Sequence, residues 1–271
     1  MTIPAQPFSV VILAADRELN DPVALASKVS CKALTPVSGR PMVLRVLDAL
    51  RDAQEVGDLI LAGPNQTSMQ QNQELAGLVN SGQVRWFAPQ TTPSSSAFNV
   101  LQSLPEGVPV LVTTADHALL TAAMIDHFCA AARGSGCDVL AGVARHDLVT
   151  AAFPGTLRTV TKLKDGGFCG CNMFAFMTPR ARQAASFWRK VESERKKPLR
   201  VVKVLGWSAV LRYLLGQLTL GYALSQLSQR MQLKAGVVEM PFAEAAVDVD
   251  KVDDWRLVES ILAERANRPP T

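Results

Sequence analysis

Five short apolar runs, separated by segments of helical pattern, constrain the fold of this chain more than any other feature: Phe8 to Ala14, Asp58 to Ala62, Val84 to Phe87, Val108 to Thr113 and Val139 to Val143. Each has the length of one strand buried on both faces, and their alternation with helices predicts a mostly parallel sheet joined by crossovers. The expected architecture is a three-layer α/β sandwich. Pro41 is expected to open a helix through Gln54, Thr92-Pro93 one through Leu104, and Thr121 to cap Ala122 to Arg133, because proline suits a first helical turn and Ser or Thr the position before it. Ligands of open sheets gather beyond the carboxyl ends of the strands. The loops Ala15 to Arg40, Gly63 to Thr67, Pro89 to Ser96 and Thr114 to Thr121 should therefore converge on one site.

The rhythm changes after about residue 145. Leu157 to Leu163 and Phe168 to Phe176 read as a hairpin around the turn Lys164 to Gly167, added to the sheet and covering the far side of the pocket. Helices follow at about Pro198 to Leu215 and Leu220 to Met231, then a strand near Val237 and a closing helix from Val252 to Ala266. We read one domain over 1–271, in three parts: a first half (1–145), a hairpin and helical insertion (146–235), and a closing strand and helix (236–271). A hydrophobic fraction of 48% in 271 residues supplies a core for such a unit.

Composition excludes several classes. A net charge of +4 without basic runs interleaved with aromatics argues against a nucleic-acid groove. Cys169-Gly170-Cys171 lacks the spacing and the second pair of a zinc site, so small buried residues are the simpler reading. Five cysteines, an odd number in a chain too large to need disulfides, indicate a reducing compartment, the cytoplasm by default. The apolar stretch Val201 to Leu224 is interrupted by Lys203, Arg212, Gln217 and three glycines, so no integral span is expected. Packing on the sheet, a cover for a greasy acceptor and a membrane-surface contact are three readings of this segment. The oligomeric state is not legible.

The chemistry-bearing residues lie in four strings. After the first strand, Leu13-Ala14-Ala15-Asp16-Arg17 opens a polar loop that continues through Lys32 to Thr35-Pro36-Val37-Ser38-Gly39-Arg40-Pro41; its amides can cradle phosphate, and Lys32 and Arg17 can neutralise charge on a phosphoryl group. Ser94, Ser95 and Ser96 stand at a helix start, suited either to a nucleotide or to capping. Asp116, in Thr113-Thr114-Ala115-Asp116-His117-Ala118-Leu119-Leu120, is a carboxylate delivered by a strand end. Alternation across Val249 puts Asp248 and Asp250 on one face, where a cation would relieve their repulsion.

Taken in order, these strings resemble the MobA-like NTP transferases, relatives of the GT-A sugar-nucleotide enzymes. The first loop is similar to the family's LAAG, followed by a lysine and P-x-x-G-[KR]-P; the middle string to its D-x-P-L-L; and the last to its D-[IV]-[DN]-x-x-x-D-L. The resemblance implies a Rossmann-like GT-A fold and an NTP as substrate. It also implies Mg²⁺ held by Asp116 with Asp250 or Asp248, nucleotide contacts from Leu13 to Asp16 and Ser94 to Ser96, and catalytic charge from Lys32 and Arg17. Asn172, Lys164 and His117 fall in segments that line the family's pocket for a small-molecule, possibly lipid-like, acceptor. Asp16 stands where the family usually has glycine, and three roles are open to it: metal binding, acceptor binding or capping of the loop. A nucleotide-sugar glycosyltransferase and an inactive regulatory nucleotide binder are the alternatives.

Overall fold

The computed structural model describes residues 6–16, 20–156, 158–186 and 206–267. Its centre is an eight-stranded sheet. The strands are β1 (Phe8–Leu13), β4 (Val56–Ala62), β5 (Arg85–Phe87), β6 (Val110–Thr114), β7 (Val139–Arg145), β8 (Thr161–Leu163), β9 (Gly166–Phe176) and β10 (Ala235–Glu239), while β2 (Pro36–Val37) and β3 (Arg40–Pro41) form a separate ribbon. The order is β10-β7-β9-β6-β1-β4-β5, with β8 paired on β9; β9 is antiparallel to its neighbours and the remaining pairs of this sheet are parallel. Each expected strand is present to within a few residues.

Helices cover both faces: α1 (Pro22–Ser27), α2 (Met42–Asp52), α3 (Gln66–Gln71), α4 (Gln73–Asn80), α5 (Pro93–Ser103), α6 (Ala122–Gly134), α7 (His146–Ala152), α8 (Trp207–Leu214), α9 (Leu220–Met231) and α10 (Val252–Asn267). The pleat divides the core. Phe8, Val10 and Ile12 of β1 face a cluster with Leu47 and Leu50 of α2 and Phe128 of α6, whereas Val11 and Leu13 face Ala97, Val100 and Leu101 of α5. The three-layer sandwich follows from this alternation. As expected, Thr92 and Thr121 cap α5 and α6 through their hydroxyls; Pro41 stands one place earlier than expected, at the N-cap of α2.

The hairpin expected as an addition to the sheet is instead built into it. β9 runs between β6 and β7, and Cys169, Cys171, Met173 and Ala175 on one face are all buried. The two cysteines of the C-x-C therefore pack as small apolar residues, and burial pushes the Cys171 thiol up to about 12. Leu157, the expected start of the first hairpin strand, and residues 198–205 of the first expected helix lie outside the described residues. Among the described residues, no helix is long and apolar enough to cross a membrane.

Candidate functional site

Register fixes where the site lies. Leu13 pairs with Ala62 on one side and with Thr114 on the other, so β1, β4 and β6 end level. The ladder runs one step further, with Ala14 N–H donating to Ala62 C=O at 2.9 Å and Ala115 N–H to Leu13 C=O at 2.9 Å. A cavity of about 290 Å³ opens beyond these ends, bounded by Leu13 to Asp16, Asp21, Lys32, Ser96, Asp116 and Asp250 among others.

Gly63 makes that convergence possible. It has φ +86°, and a Cβ there would lie 2.9 Å from the Ala15 nitrogen and 3.1 Å from the Ala14 carbonyl carbon. Gly63→Ala is expected to lower stability by about 2–4 kcal/mol, since left-handed backbone and a backbone clash act together. Gly77→Ala inside α4, where a Cβ meets nothing within 4 Å, is expected to be neutral or stabilising by up to about 1 kcal/mol. Thermal denaturation of the two variants checks the contrast.

The loop after β1 is organised to present Lys32. Asp21 caps α1, accepting from Val23 N–H at 2.9 Å and Ala24 N–H at 3.1 Å, and Lys28 ends that helix in the left-handed conformation. A 3₁₀ turn, Lys32–Leu34, follows. Ser38 and Gly39, both at positive φ, form the two-residue turn between β2 and β3, so the P-x-x-G-R-P string is a tight ribbon leading into α2. The Asp16 carboxylate accepts from Lys32 N–H at 2.9 Å and from the Cys31 thiol at 3.4 Å. It is turned onto its own loop, in the capping role. Burial raises its pKa, with the Lys32 N–H acting in the opposite sense.

The Lys32 ammonium bridges two of the three candidate carboxylates. Nζ lies 2.7 Å from Asp116 Oδ2 and 3.4 Å from Asp250 Oδ1. Burial opposes the lysine's charge, but Asp116, with Asp250 and Asp21 behind it, more than offsets it and holds the ammonium above the ordinary lysine range. Burial likewise opposes the charge on Asp116, and Lys32, aided by the Thr114 side chain, reverses the balance and depresses the carboxyl. Both partners are therefore ionised. The second oxygen of Asp116, Oδ1, is buried without a hydrogen-bond partner of normal geometry, although the Thr114 side chain is near enough to favour the charged form.

The closing segment reaches the site because Val249 N–H donates to Asp116 C=O at 3.1 Å while Val247 and Val249 are buried in a small core with Val23, Met42 and Leu119. Asp248 is engaged differently from Asp250. It accepts from Asn172 Nδ2 at 2.8 Å and from the Arg158 guanidinium at 3.3 Å. Burial, then the Asp116 and Asp250 charges, raises it to about 6. Asn172 has φ +48° beside a register shift between β7 and β9. Such a bulge re-aims a side chain, here at Asp248.

Arg158, missed by sequence reasoning, ties this corner together. Its side chain is 8% exposed and pairs with Asp248 at 3.3 Å and Asp254 at 3.0 Å, and Asp254 in turn accepts from the Asp250 and Lys251 N–H groups. Asp254, rather than the exposed Asp253, thus serves the start of α10. The only sequence signal was an arginine in an otherwise uncharged run.

Other expected residues lie elsewhere. His117 is buried with neither ring nitrogen in a hydrogen bond of normal geometry, and burial lowers it to about 4; it is behind Asp116, not on the cavity wall. Lys164 is exposed in the β8–β9 turn, where its N–H donates to Leu218 C=O at 2.8 Å, and it does not line the cavity. Ser96 lines the cavity and accepts from Gln90 N–H at 2.9 Å, which fixes the preceding loop; Ser94 is buried, the Ser95 N–H donates to Thr92 Oγ1, and the Thr92 hydroxyl donates to Ser95 Oγ. Arg17 lies outside the described residues.

The profile of the MobA-like NTP transferase domain matches residues 10–230, most of the chain. The chain belongs to this family. Among solved structures, this MobA-like domain is similar to a hypothetical transferase from Thermus thermophilus, with 28% identity, a TM-score of 0.76 and coverage of 92% of this chain and 99% of that one. It also resembles 4-diphosphocytidyl-2C-methyl-D-erythritol synthase from Anaerococcus prevotii, with 15% identity, a TM-score of 0.59 and coverage of 95% and 96%. A third neighbour is a CMP:2-keto-3-deoxy-manno-octonic acid synthetase complexed with CTP, with 12% identity, a TM-score of 0.57 and coverage of 95% and 99%. At such identities the last two establish the fold. Among curated protein sequences no match was found. The family assigns the MobA-like chain to the nucleotidyltransferases, of Rossmann-like fold.

Among the described residues, no three His, Cys, Asp or Glu are grouped to hold a metal by themselves. A Mg²⁺ that travels with a triphosphate needs only one or two protein carboxylates. Asp116, with its unpartnered buried oxygen, and Asp250 fit that requirement.

Proposed function

We propose that this chain transfers a nucleoside monophosphate from an NTP to a phosphorylated or other nucleophilic small-molecule acceptor, releasing pyrophosphate, in the cytoplasm. The observation that carries this reading is the Lys32 ammonium shared by Asp116 and Asp250 at the cavity where β1, β4 and β6 end. The Ala14 to Asp16 backbone and the start of α5 bound the space for the nucleotide. An acceptor oxygen attacks the α-phosphorus, the new P–O bond forms as the bond to the β-phosphate oxygen breaks, and the electron pair leaves on pyrophosphate. Lys32 exchanges its carboxylate partners for phosphoryl oxygens and stabilises the charge that builds there. A phosphate acceptor is already ionised and requires no general base. Asp116 and Asp250 would hold a Mg²⁺ ion, whose charge would offset that of the triphosphate and polarise the α-phosphoryl group.

A carboxylate at position 16, where the family usually has glycine, is the feature that would favour an inactive regulatory binder. Its engagement with Lys32 N–H and Cys31 favours catalysis, because the carboxylate helps to present the lysine. The test supplies Mg²⁺, each of the four NTPs and a panel of phosphorylated acceptors, and follows pyrophosphate. One NTP and acceptor pair is expected to give release that Asp116→Ala lowers by about a hundredfold or more. No release from any pair, or undiminished release by the variant, would overturn the proposal.

A further inference from the structure

Asp16, Asp21, Asp116 and Asp250 line the cavity beyond β1, β4 and β6, and among the described residues Lys32 is the one cation that lines it. Two of these carboxylates are spent on the backbone. Asp16 accepts from Lys32 N–H at 2.9 Å, and Asp21 from Val23 N–H at 2.9 Å and Ala24 N–H at 3.1 Å. The other two share the ammonium, whose Nζ lies 2.7 Å from Asp116 Oδ2 and 3.4 Å from Asp250 Oδ1. Asp248, the neighbouring acid of the closing segment, offers the ammonium no other seat, because Asn172 engages it at 2.8 Å and Arg158 at 3.3 Å.

These contacts put a cation of the chain's own where a divalent ion would sit. An ion shared by Asp116 and Asp250 needs the oxygens that the ammonium holds, and a second positive charge brought beside the first is repelled by it. A triphosphate changes the balance, since its oxygens enter the same cavity and give the ammonium another partner. The movement required is small. Asp16 pins the Lys32 backbone, while the flexible four-carbon stem carries the charge from one partner to the next. We propose that Lys32 is a resident cation that keeps divalent metal out of the nucleotide-free site and yields its place when an NTP binds, so that metal and nucleotide enter as coupled ligands. The exclusion needs only the nucleotide-free geometry; the handover rests on the nucleotidyltransferase reading of the same site.

Calorimetric titration of Mn²⁺ into the nucleotide-free protein tests the exclusion without any turnover. Lys32→Met is expected to bind Mn²⁺ about tenfold or more tightly than wild type, and Lys32→Arg, which keeps the charge, to stay near wild type. The double variant Lys32→Met with Asp116→Asn should lose the gain, with circular dichroism showing each protein folded. Mn²⁺ binding equal in wild type and Lys32→Met, absent from both, as tight in Lys32→Arg as in Lys32→Met, or undiminished in the double variant would overturn the exclusion. The handover is read from binding of metal-free NTP in EDTA. Asp250→Asn, which loosens the hold on the ammonium, should tighten that binding about tenfold, and by several-fold less in a Lys32→Met background. Equal tightening in the two backgrounds, or no metal-free binding by Asp250→Asn, would overturn the handover. Pyrophosphate release from an NTP and acceptor pair, with Mn²⁺ binding unaffected by Lys32→Met, would leave the transfer reaction standing and remove the lysine's exclusion of metal. The expected Mn²⁺ results with no release from any pair would do the reverse.

Discussion

Lys32→Met is expected to reduce NTP turnover by about 10²- to 10³-fold while leaving the fold intact, a loss of the size seen when one donor to a developing phosphoryl or oxyanion charge is removed. Methionine approximates the lysine stem in volume but brings no charge, so Asp116, mostly buried and 2.7 Å from Nζ, loses its closest counter-ion. Two carboxylates then face each other across the space that the ammonium held. Divalent cations are expected to stabilise this variant against heat more than they stabilise wild type, because a cation no longer competes with the lysine for Asp116 and Asp250. Steady-state turnover and melting temperature with and without Mg²⁺ measure the two effects. A variant that keeps wild-type turnover would remove Lys32 from the chemistry.

Arg158→Met should be the most destabilising single change at the acidic corner, by about 3–5 kcal/mol, the cost of stranding buried charges when one partner of a pair is removed. Arg158 touches Asp248 and Asp254, and Asp254 holds the N–H groups of Asp250 and Lys251. Its removal loosens the segment that carries Asp250 as well as stranding Asp248, which burial and its acidic neighbours already raise to about 6. Urea denaturation reads the loss. Arg158→Lys, which keeps the charge but not the forked geometry, should recover only part of it. A change below about 1 kcal/mol for Arg158→Met would show that the corner is held by other contacts.

Much of the sheet was legible because a strand buried on both faces must be written as an unbroken apolar run, and the helix starts because proline and threonine mark them locally. The position of β9 was not. Strand order is a property of the whole sheet, and nothing in the period of residues 166–176 distinguishes an interior strand from an added hairpin. The pairing of Asp116 with Lys32 and Asp250 could be anticipated, since each sits in a string of fixed order along the chain. Arg158 could not: its carboxylate partner Asp248 lies 90 residues further on, and a lone arginine carries no pattern. Asp16 shows a further limit. Whether a carboxylate points into a pocket or back onto its loop depends on where the amide of residue 32 falls, and only the folded loop decides that. The apolar face of α8, whose Trp207, Leu211 and Leu214 are exposed, is of the same kind, for periodicity locates an apolar face but does not say what it meets.

Whether Lys32, Asp116 and Asp250 act on the α-phosphate of an NTP is read by following the label from an NTP carrying ³²P at the α-position in the presence of Mg²⁺ and the acceptor found in the panel. The label is expected to move into the acceptor in step with pyrophosphate release, and Asp116→Ala to lower both together by about a hundredfold or more. Label that stays with the nucleotide while the γ-phosphate is released or transferred, or label transfer that survives Asp116→Ala, would contradict it.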